Sequence, residues 1–204
     1  MRINKKKFIY LISPKKINNS FYRDLTKVLQ QKKVSFFQLR LKKETLKKKI
    51  IIGEKIKKIC KKFNVKFLIN DDVQVAKRLN ADGCHLGQKD MKIIEARKMI
   101  GDRIIGITCH NSIKLSKIAL KNKADYIALG AFNNSKTKEV KFRASISLLR
   151  KIKKITKTPV VAIGGINFNN YKILLLNKAN FLAISGYIWS NKKHKPFDAL
   201  KKIK

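Results

Sequence analysis

The stretch IIGITCHNSIKLSKIALKNKADYIAL, residues 104–129, carries the pattern that decides the fold. It begins with a short β-branched run at 104–108, continues with helical spacing of apolar residues through 112–123, and ends with a second apolar run at 126–129. Strands that are apolar on successive residues are typically buried on both faces, and a helical crossover joins such strands in parallel. This stretch therefore predicts one strand, helix, strand unit.

The same unit recurs along the whole chain and gives eight strand candidates in total. The other apolar runs lie at 8–12, 34–39, 65–69, 83–86, 159–163 and 181–184. The other helical patterns lie at 20–32, 43–64, 72–80, 92–100, 144–156, 169–178 and 197–203, and the basic tail after Asn191 is interpreted as the last helix. Strict alternation of strand and helix predicts an α/β fold, a single (β/α)8 TIM barrel domain over residues 1–204.

An open doubly wound sheet is the structural alternative. That fold usually has a Gly-x-Gly-x-x-Gly turn after the first strand, whereas this chain has Leu11-Ile12-Ser13-Pro14 there. The chain is 44% hydrophobic and has only 9 glycines and 3 prolines, which excludes a disordered or low-complexity protein. The barrel is the favoured prediction.

Cysteine usage and apolar run lengths predict a cytoplasmic protein without a membrane span. Cys60, Cys84 and Cys109 are odd in number and contain no Cys-x-x-Cys pair, which argues against a disulfide framework and a zinc site. The apolar run at 8–13 is too short for a signal peptide core, and no run approaches the ~18 residues of a membrane span.

The net charge of +38 is extreme, and by itself it would indicate a nucleic-acid partner. The lysines are instead scattered over several predicted helices and form no single arm or stripe, as in the pairs Lys57-Lys58, Lys61-Lys62 and Lys153-Lys154. Solvated helix faces explain most of them, with steering of anionic substrates as a further role. We expect no specific nucleic-acid partner, and the sequence gives no prediction of oligomeric state.

In such a barrel the catalytic groups follow the strands, so the polar residues at each strand end are the candidates. Gln38, Arg40 and Lys42 end the second strand, and alternation would place them on one side, where they suit an anion; a solvated strand end is the alternative. Asp71 and Asp90 follow the third and fourth strands in a chain with only 12 acidic residues. Magnesium binds through one or two carboxylates plus substrate phosphates, so this pair is a candidate site.

Helix capping competes with metal binding at these acids. Asp72, next to Asp71, is a candidate N-cap of the third helix, and Asp90 is a candidate cap of the helix that begins near Met91. The later strands end in hydroxyl and glycine residues. The ends of the seventh and eighth strands form the usual phosphate site of the fold, and Gly165 there allows the backbone to approach an anion. These later candidates are Thr108, His110, Ser135, Thr137, Lys138, Gly164, Gly165 and Ser185.

Taken together, these motifs resemble the thiamine phosphate synthase family over essentially the whole chain. The matching segments are Gln38-Leu39-Arg40-Leu41-Lys42, Ile69-Asn70-Asp71, Ala81-Asp82-Gly83-Cys84-His85-Leu86-Gly87-Gln88-Lys89-Asp90-Met91, Ala162-Ile163-Gly164-Gly165-Ile166 and Ile184-Ser185. The resemblance implies a transferase that joins 4-amino-2-methyl-5-hydroxymethylpyrimidine diphosphate to 4-methyl-5-(2-phosphoethyl)thiazole, giving thiamine phosphate and diphosphate. Magnesium is the implied cofactor, and the implied partners are these small phosphorylated substrates.

The resemblance also assigns roles to residues. It implies that Asp71 and Asp90 hold magnesium, and that Arg40, Lys42 and Lys138 neutralise the departing diphosphate. The pyrimidine diphosphate would contact Gln38, Arg40, Lys42, Asn70, Thr108 and Lys138. The thiazole phosphate would contact Ser135, Thr137, Gly165, Ile184 and Ser185.

The chain departs from the family in the loop after the sixth strand. There the family usually has Gly-Pro-x-Phe-Pro-Thr-x-Thr-Lys, whereas residues 130–138 read GAFNNSKTK, so both prolines are replaced and Ser135 takes the usual threonine position. Thr108 likewise replaces a common serine. We expect a less rigid loop and an effect on thiazole phosphate affinity.

Two other functions fit parts of the sequence. A related group of barrels contains thiazole tautomerases, which need acid–base chemistry instead of diphosphate departure and have no use for a diphosphate site. Separately, His110 is open to a general acid–base role or to a polar loop or packing role. A barrel that has lost activity and binds nucleic acid through its basic surface is the alternative from another class, although no concentrated basic element or aromatic stacking motif supports it.

Overall fold

A closed parallel barrel is the centre of the structure, a computed structural model that describes residues 7–134 and 140–204. Each strand pairs with the next one along the chain, and the eighth pairs back with the first. The strands are β1 (Ile9–Ile12), β2 (Val34–Leu39), β3 (Lys66–Asn70), β4 (Gly83–Leu86), β5 (Ile104–His110), β6 (Tyr126–Gly130), β7 (Val160–Ile163) and β8 (Phe181–Ile184). The predicted (β/α)8 TIM barrel is confirmed.

Helices connect the strands and surround the barrel. They are α1 (Asn19–Gln30), α2 (Leu46–Lys62), α3 (Val73–Arg78), α4 (Ile93–Ile100), α5 (Ile113–Lys121), α6 (Ile146–Ile155), α7 (Tyr171–Leu176), α8 (Gly186–Trp189) and α9 (Pro196–Lys201). Several begin at a side-chain cap, which explains why α2 starts later than predicted: the Thr45 hydroxyl accepts a hydrogen bond from the Lys48 amide. None of the helices in the two described ranges is long and apolar enough to cross a membrane.

The last unit differs from the prediction. Two short helices follow β8 where one was predicted, and α9 begins at Pro196, whose ring favours the first turn of a helix. The unpredicted helix α8 is held against the barrel by Trp189, whose indole N–H donates to the Ile12 carbonyl at 2.7 Å. This contact joins the ends of β1 and β8.

The strands separate two hydrophobic cores. Residues on one face of each strand fill the barrel, where the rings of Tyr10, Phe36, Tyr126 and Phe181 pack together with centroids 5.0–6.0 Å apart. Residues on the other face pack against the helices and form the larger core. Burial on both faces explains why the strands are apolar on successive residues, and it leaves the polar candidates at the strand ends.

Candidate active site

Asp71 lies at the end of β3 in a left-handed backbone conformation, with φ of 63°. Its amide donates to the His85 carbonyl of β4 at 2.8 Å, which fixes this conformation. Its carboxylate lies 2.8 Å from the ammonium of Lys42, beyond the end of β2. The structure therefore brings together two predicted site residues from neighbouring strand ends.

Asp90, from the loop after β4, lies against Asp71. The Gly87 amide donates to the Asp90 carboxylate at 2.6 Å, and Asp90 lies close enough to Asp71 for each carboxyl group to affect the pKa of the other. Burial, together with the neighbouring charge of Asp71, raises the pKa of Asp90. Burial acts in the same direction on Asp71, but Lys42 and Asp90 outweigh it and lower the pKa of Asp71. Two neighbouring carboxyl groups repel each other when both are ionised, and a bound cation relieves that repulsion.

The capping alternatives have different outcomes at the two acids. Asp72 does cap α3, since its carboxylate accepts from the Val75 amide at 3.0 Å and also lies 3.3 Å from the Lys49 ammonium. Asp90 does not cap α4, whose N-cap is Lys92 with no side-chain hydrogen bond. Capping therefore explains Asp72 and leaves Asp71 and Asp90 as the pair at the mouth.

Gln38 and Asn70 form a second polar pair at the mouth. Gln38 is 2% exposed, and its side-chain amide donates to the Asn70 side-chain oxygen at 2.7 Å. This contact orients both amides at the ends of β2 and β3. A cavity of about 460 Å³ opens beside these two strands, and Lys42, Asn70 and Asp71 are among its lining residues.

Thr108 is the last member, on the side of the mouth, of a series of buried side chains that are hydrogen-bonded to one another across the barrel interior. His85 contacts the Thr108 hydroxyl through Nε2 and the Tyr126 hydroxyl through Nδ1, each at 2.8 Å, and Tyr126 in turn contacts the Tyr10 hydroxyl at 2.8 Å. Burial raises the pKa of both tyrosines, so both phenols stay protonated. Every group is satisfied if Tyr10 donates to Tyr126, Tyr126 to His85 Nδ1, and His85 Nε2 to Thr108. The Thr108 hydroxyl proton then points away from this chain.

Sequence reasoning missed three members of this chain as functional candidates, namely Tyr10, His85 and Tyr126. The sequence shows His85 only as part of a segment that matches the family, and Tyr10 and Tyr126 only as residues of predicted strands. One signal was present: His85 is a polar residue inside an otherwise apolar strand, and alternation places it two residues from Gly83 on the inner face. The partners of His85 lie 23 and 41 residues away along the chain, and their contacts depend on barrel closure.

Arg40 and Ser185 are connected through Ser13, another residue that the sequence did not single out. The Ser13 hydroxyl accepts from the Arg40 amide at 2.9 Å, and the Ser185 hydroxyl donates to the Ser13 carbonyl at 3.1 Å. Ile184 is buried against the outer core, which leaves its backbone as the part available to a ligand. The ends of β1, β2 and β8 are thus joined at the mouth.

Gly165 has a positive φ of 60°, a conformation that favours glycine. The sequence predicts that an anion approaches this glycine, but in the structure another part of the chain lies there. A Cβ at this position would lie 2.1 Å from the Asn134 carbonyl, so the loop after β6 packs directly on it. The other predicted residues of that loop, Ser135, Thr137 and Lys138, lie outside the described residues. The His110 ring contacts the Phe142 ring, with centroids 4.4 Å apart.

The chemistry of the mouth fits magnesium better than a metal that needs many protein ligands. Within residues 7–134 and 140–204 there is no group of three or more His, Cys, Asp or Glu side chains that would form a protein cage. Two adjacent carboxylates beside cationic side chains are the donor set that magnesium uses when phosphates supply the remaining ligands. The cysteines are free and buried.

Comparisons with known proteins point to one family. A family model described as thiamine monophosphate synthase matches residues 9–188. The thiamine-phosphate synthase of Pelagibacter ubique is 66% identical over the full length of both chains, and that of Erythrobacter litoralis is 39% identical over 89% of this chain and 88% of its own. A solved thiamine phosphate pyrophosphorylase from Pyrococcus furiosus superposes with a TM-score of 0.86 at 26% identity, covering 98% of this chain and 94% of its own.

Proposed function

The chain belongs to the thiamine monophosphate synthase family, and from this premise we propose that the mouth of its barrel is where thiamine phosphate is made. It is an enzyme, a transferase that forms thiamine phosphate. In the reaction expected from the sequence, diphosphate leaves the methylene carbon attached to the pyrimidine ring, and the thiazole nitrogen captures that carbon. The observation that carries the assignment to the mouth is the Asp71 and Asp90 pair beside Lys42.

Asp71 and Asp90 are the proposed magnesium ligands. When bound, the metal would neutralise charge on the diphosphate and so make it a better leaving group. The proximity of the two carboxyl groups, and the ammonium that lies 2.8 Å from Asp71, both support a site for a cation. With a cation held by Asp71 and Asp90, the Lys42 ammonium would be available to contact the phosphates.

Arg40, Lys42 and Lys138 are proposed to stabilise the diphosphate as its negative charge grows. Fixed cations aimed at a developing charge lower the barrier without reorganising during the step. The Ser13 hydroxyl holds the Arg40 amide, which supports a fixed position for the backbone that carries this guanidinium. The bond from carbon to the diphosphate oxygen breaks with both electrons going to oxygen, and the thiazole nitrogen lone pair forms the new bond to carbon. No protein nucleophile is needed.

The polar residues inside the mouth are proposed to bind the pyrimidine ring. Gln38, Asn70 and Thr108 each have a partner that fixes the orientation of the side chain, which supports recognition of a flat ring with several hydrogen-bonding groups. Holding the ring in one orientation also aligns its methylene carbon with the thiazole and leaves less room for water, which would capture the same cation.

The thiazole phosphate is proposed to bind across the mouth, at Ser135, Thr137, Gly165, Ile184 and Ser185. The link from Ser185 through Ser13 to the Arg40 amide supports a short path between the two substrates. In the described structure the Asn134 carbonyl lies over Gly165, so we expect Asn134 to shift when the phosphate binds at Gly165. We further infer a cytoplasmic location from the free, buried cysteines, which fit a reducing compartment.

The direct test of this function is product formation. The purified protein with magnesium and both substrates should release diphosphate and form thiamine phosphate in equal amounts. Omission of either substrate or chelation of magnesium should stop both products. Absence of thiamine phosphate above background in the complete mixture would contradict the proposal.

A further inference from the structure

A basic cavity lies between α6 and α7, far from the mouth of the barrel. Its volume is about 280 Å³, and four of its six lining residues are cationic: Arg150, Lys153, Lys154 and Lys178, with Leu176 and Asn177 completing it. It lies where these two helices end, beside the start of β7. Asn180, two residues after Lys178, marks this position, since its side-chain oxygen accepts a hydrogen bond from the Val160 amide of β7 at 2.8 Å. The active site is at the other end of the strands, so the proposed reaction does not use this cavity.

Two of the four cations are held in place by neutral side chains. The Arg150 Nε donates to the Asn177 side-chain oxygen at 2.5 Å, and Asn177 is itself 5% exposed. The Lys153 ammonium donates to the Asn180 side-chain oxygen at 3.1 Å. The terminal guanidinium nitrogens of Arg150 have no acceptor among the described residues. The cavity therefore has an ordered arrangement of donors and is more than a group of flexible lysines.

Among the described residues, no protein anion is paired with the cations of this cavity. None of the ion pairs found between described residues involves the four cations of the cavity, whereas Lys42 and Arg97 each pair with an aspartate. The sequence contains no Asp or Glu between Glu139 and Asp198, a segment that includes all of α6, α7 and β8. Burial, and secondarily the charge of Lys178, lower the pKa of Lys153.

Helix-end electrostatics account for only part of this arrangement. Lys153 and Lys154 lie in the last turn of α6, where cations compensate the negative end of the helix dipole. That effect falls off within a turn and is satisfied by one or two charges on one helix. It gives no reason for Lys178, beyond the end of α7, to face the same cavity as the cations of α6, or for Asn177 to hold the Arg150 side chain there.

We propose that this α6–α7 cavity binds a compact anion that carries two or more phosphoryl groups. Arg150, Lys153, Lys154 and Lys178 would supply the counter-charge, and the guanidinium of Arg150 would present its two terminal nitrogens to a pair of phosphate oxygens. An inorganic polyphosphate and the phosphate chain of a nucleotide share this chemistry. The exposed Leu176 at the edge, 78% accessible, offers an apolar surface to any larger group attached to the phosphates.

Lysine protection measures binding at this cavity and separates it from binding at the active site. The folded full chain is given a brief pulse of an amine-acylating reagent at physiological salt, with increasing inorganic triphosphate, and modification is measured at each lysine by mass spectrometry. We expect triphosphate to protect Lys153 and Lys178, with inorganic monophosphate much weaker. Lys47 and Lys58 on α2, which are exposed and outside every ion pair of the described residues, should remain unprotected.

Charge-matched variants make the test specific. Lys154→Gln/Lys178→Gln removes two cavity charges whose ammonium groups have no hydrogen-bond acceptor among the described residues, so the fold should not change. It should raise the triphosphate concentration for half-protection of Lys153 by about tenfold or more, the effect of losing one charge-assisted hydrogen bond. The control Lys47→Gln/Lys58→Gln removes the same net charge from α2 and should leave that concentration unchanged.

The source of the anion is decided by comparing inorganic triphosphate with adenosine triphosphate. Equal half-protection concentrations would identify the phosphate chain alone as the ligand, and a lower value for the nucleotide would identify a nucleotide site. The proposal is overturned if Lys153 is not protected, if all lysines are protected alike, or if both double variants weaken protection equally. Because the readout does not depend on turnover, it stands or falls separately from the proposed function.

Discussion

Asp71 and Asp72 are adjacent in sequence, yet their side chains have different tasks. The Asp71 amide bonds to His85 of the next strand, which directs its carboxylate to Lys42 and Asp90 at the mouth. The Asp72 carboxylate turns back to the Val75 amide and begins α3. A single change of backbone conformation at a strand end thus separates a residue for the site from a residue for the fold.

The buried chain that supports Thr108 gives a prediction at the level of one hydroxyl group. Tyr126→Phe removes the partner of both Tyr10 and His85 inside the barrel. We expect a loss of stability of about 1–3 kcal/mol, because buried polar groups are left unsatisfied. We also expect a higher KM for the pyrimidine diphosphate, because Thr108 loses its fixed orientation. Chemical denaturation and steady-state kinetics measure the two effects.

Tyr171→Phe is the matched control for this prediction. Tyr171 is also buried, and its hydroxyl accepts from the Lys204 amide and donates to the Lys204 carbonyl, outside the barrel interior. Its loss should cost stability in the same range and leave KM unchanged. An unchanged KM in Tyr126→Phe, beside the expected loss of stability, would limit the chain to a structural role.

At the scale of elements, β2 ends at Leu39, where the predicted apolar run also ends, but the side chains that follow it are not placed by alternation. Alternation from Gln38 would have carried Arg40 and Lys42 along one side of the strand, but the strand stops at Leu39. Of these three side chains, only that of Gln38 is buried in the barrel. Arg40 and Lys42 are positioned instead by contacts with Ser13 and Asp71, which come from other strands and therefore have no local signal.

The packing of β5 on β6 gives a prediction at the same scale. Gly106 faces the ring of Tyr126, and a Cβ there would lie 1.8 Å from the ring carbon Cζ. Gly106→Ala should displace Tyr126 and disturb the hydrogen bond to His85, so we expect both lower stability and a higher KM for the pyrimidine diphosphate. Thermal unfolding and kinetics of the purified variant provide the measurement.

Gly101→Ala separates this effect from the general cost of replacing a glycine. Gly101 ends α4 with φ of 58°, and a Cβ there would meet nothing within 4 Å. The strained backbone should cost about 1–3 kcal/mol without any change in KM. If Gly106→Ala also left KM unchanged, the proposed coupling between barrel packing and the site would be wrong.

Across the whole molecule, the fold was predictable from sequence because its signal is local and repeated. Each strand and helix has its own periodicity, and eight repeats allow closure of the barrel. The metal-site candidates were found because acids are rare in this chain. The interior chain from Tyr10 to Thr108 and the cavity between α6 and α7 were missed, because they join residues that become neighbours only when the barrel closes.

The net charge of +38 gives a prediction for the molecule as a whole. Anionic substrates are attracted by the summed field, and salt screens that field over a Debye length of ~10 Å at 0.1 M. We expect kcat/KM for the pyrimidine diphosphate to fall by about tenfold or more as sodium chloride rises at constant free magnesium. The value of kcat should change little. A kcat/KM that is independent of salt would show that the lysines do not steer the substrate.

The claim that Asp71 and Asp90 hold magnesium for the departing diphosphate is tested most directly by magnesium-dependent turnover in three single variants. Asp71→Asn and Asp90→Asn should each lower kcat/KM by about tenfold or more and weaken magnesium binding, with circular dichroism unchanged. Asp72→Asn is the control, since asparagine also caps helices, and it should retain wild-type kinetics. Wild-type magnesium dependence in both Asp71→Asn and Asp90→Asn would contradict the account.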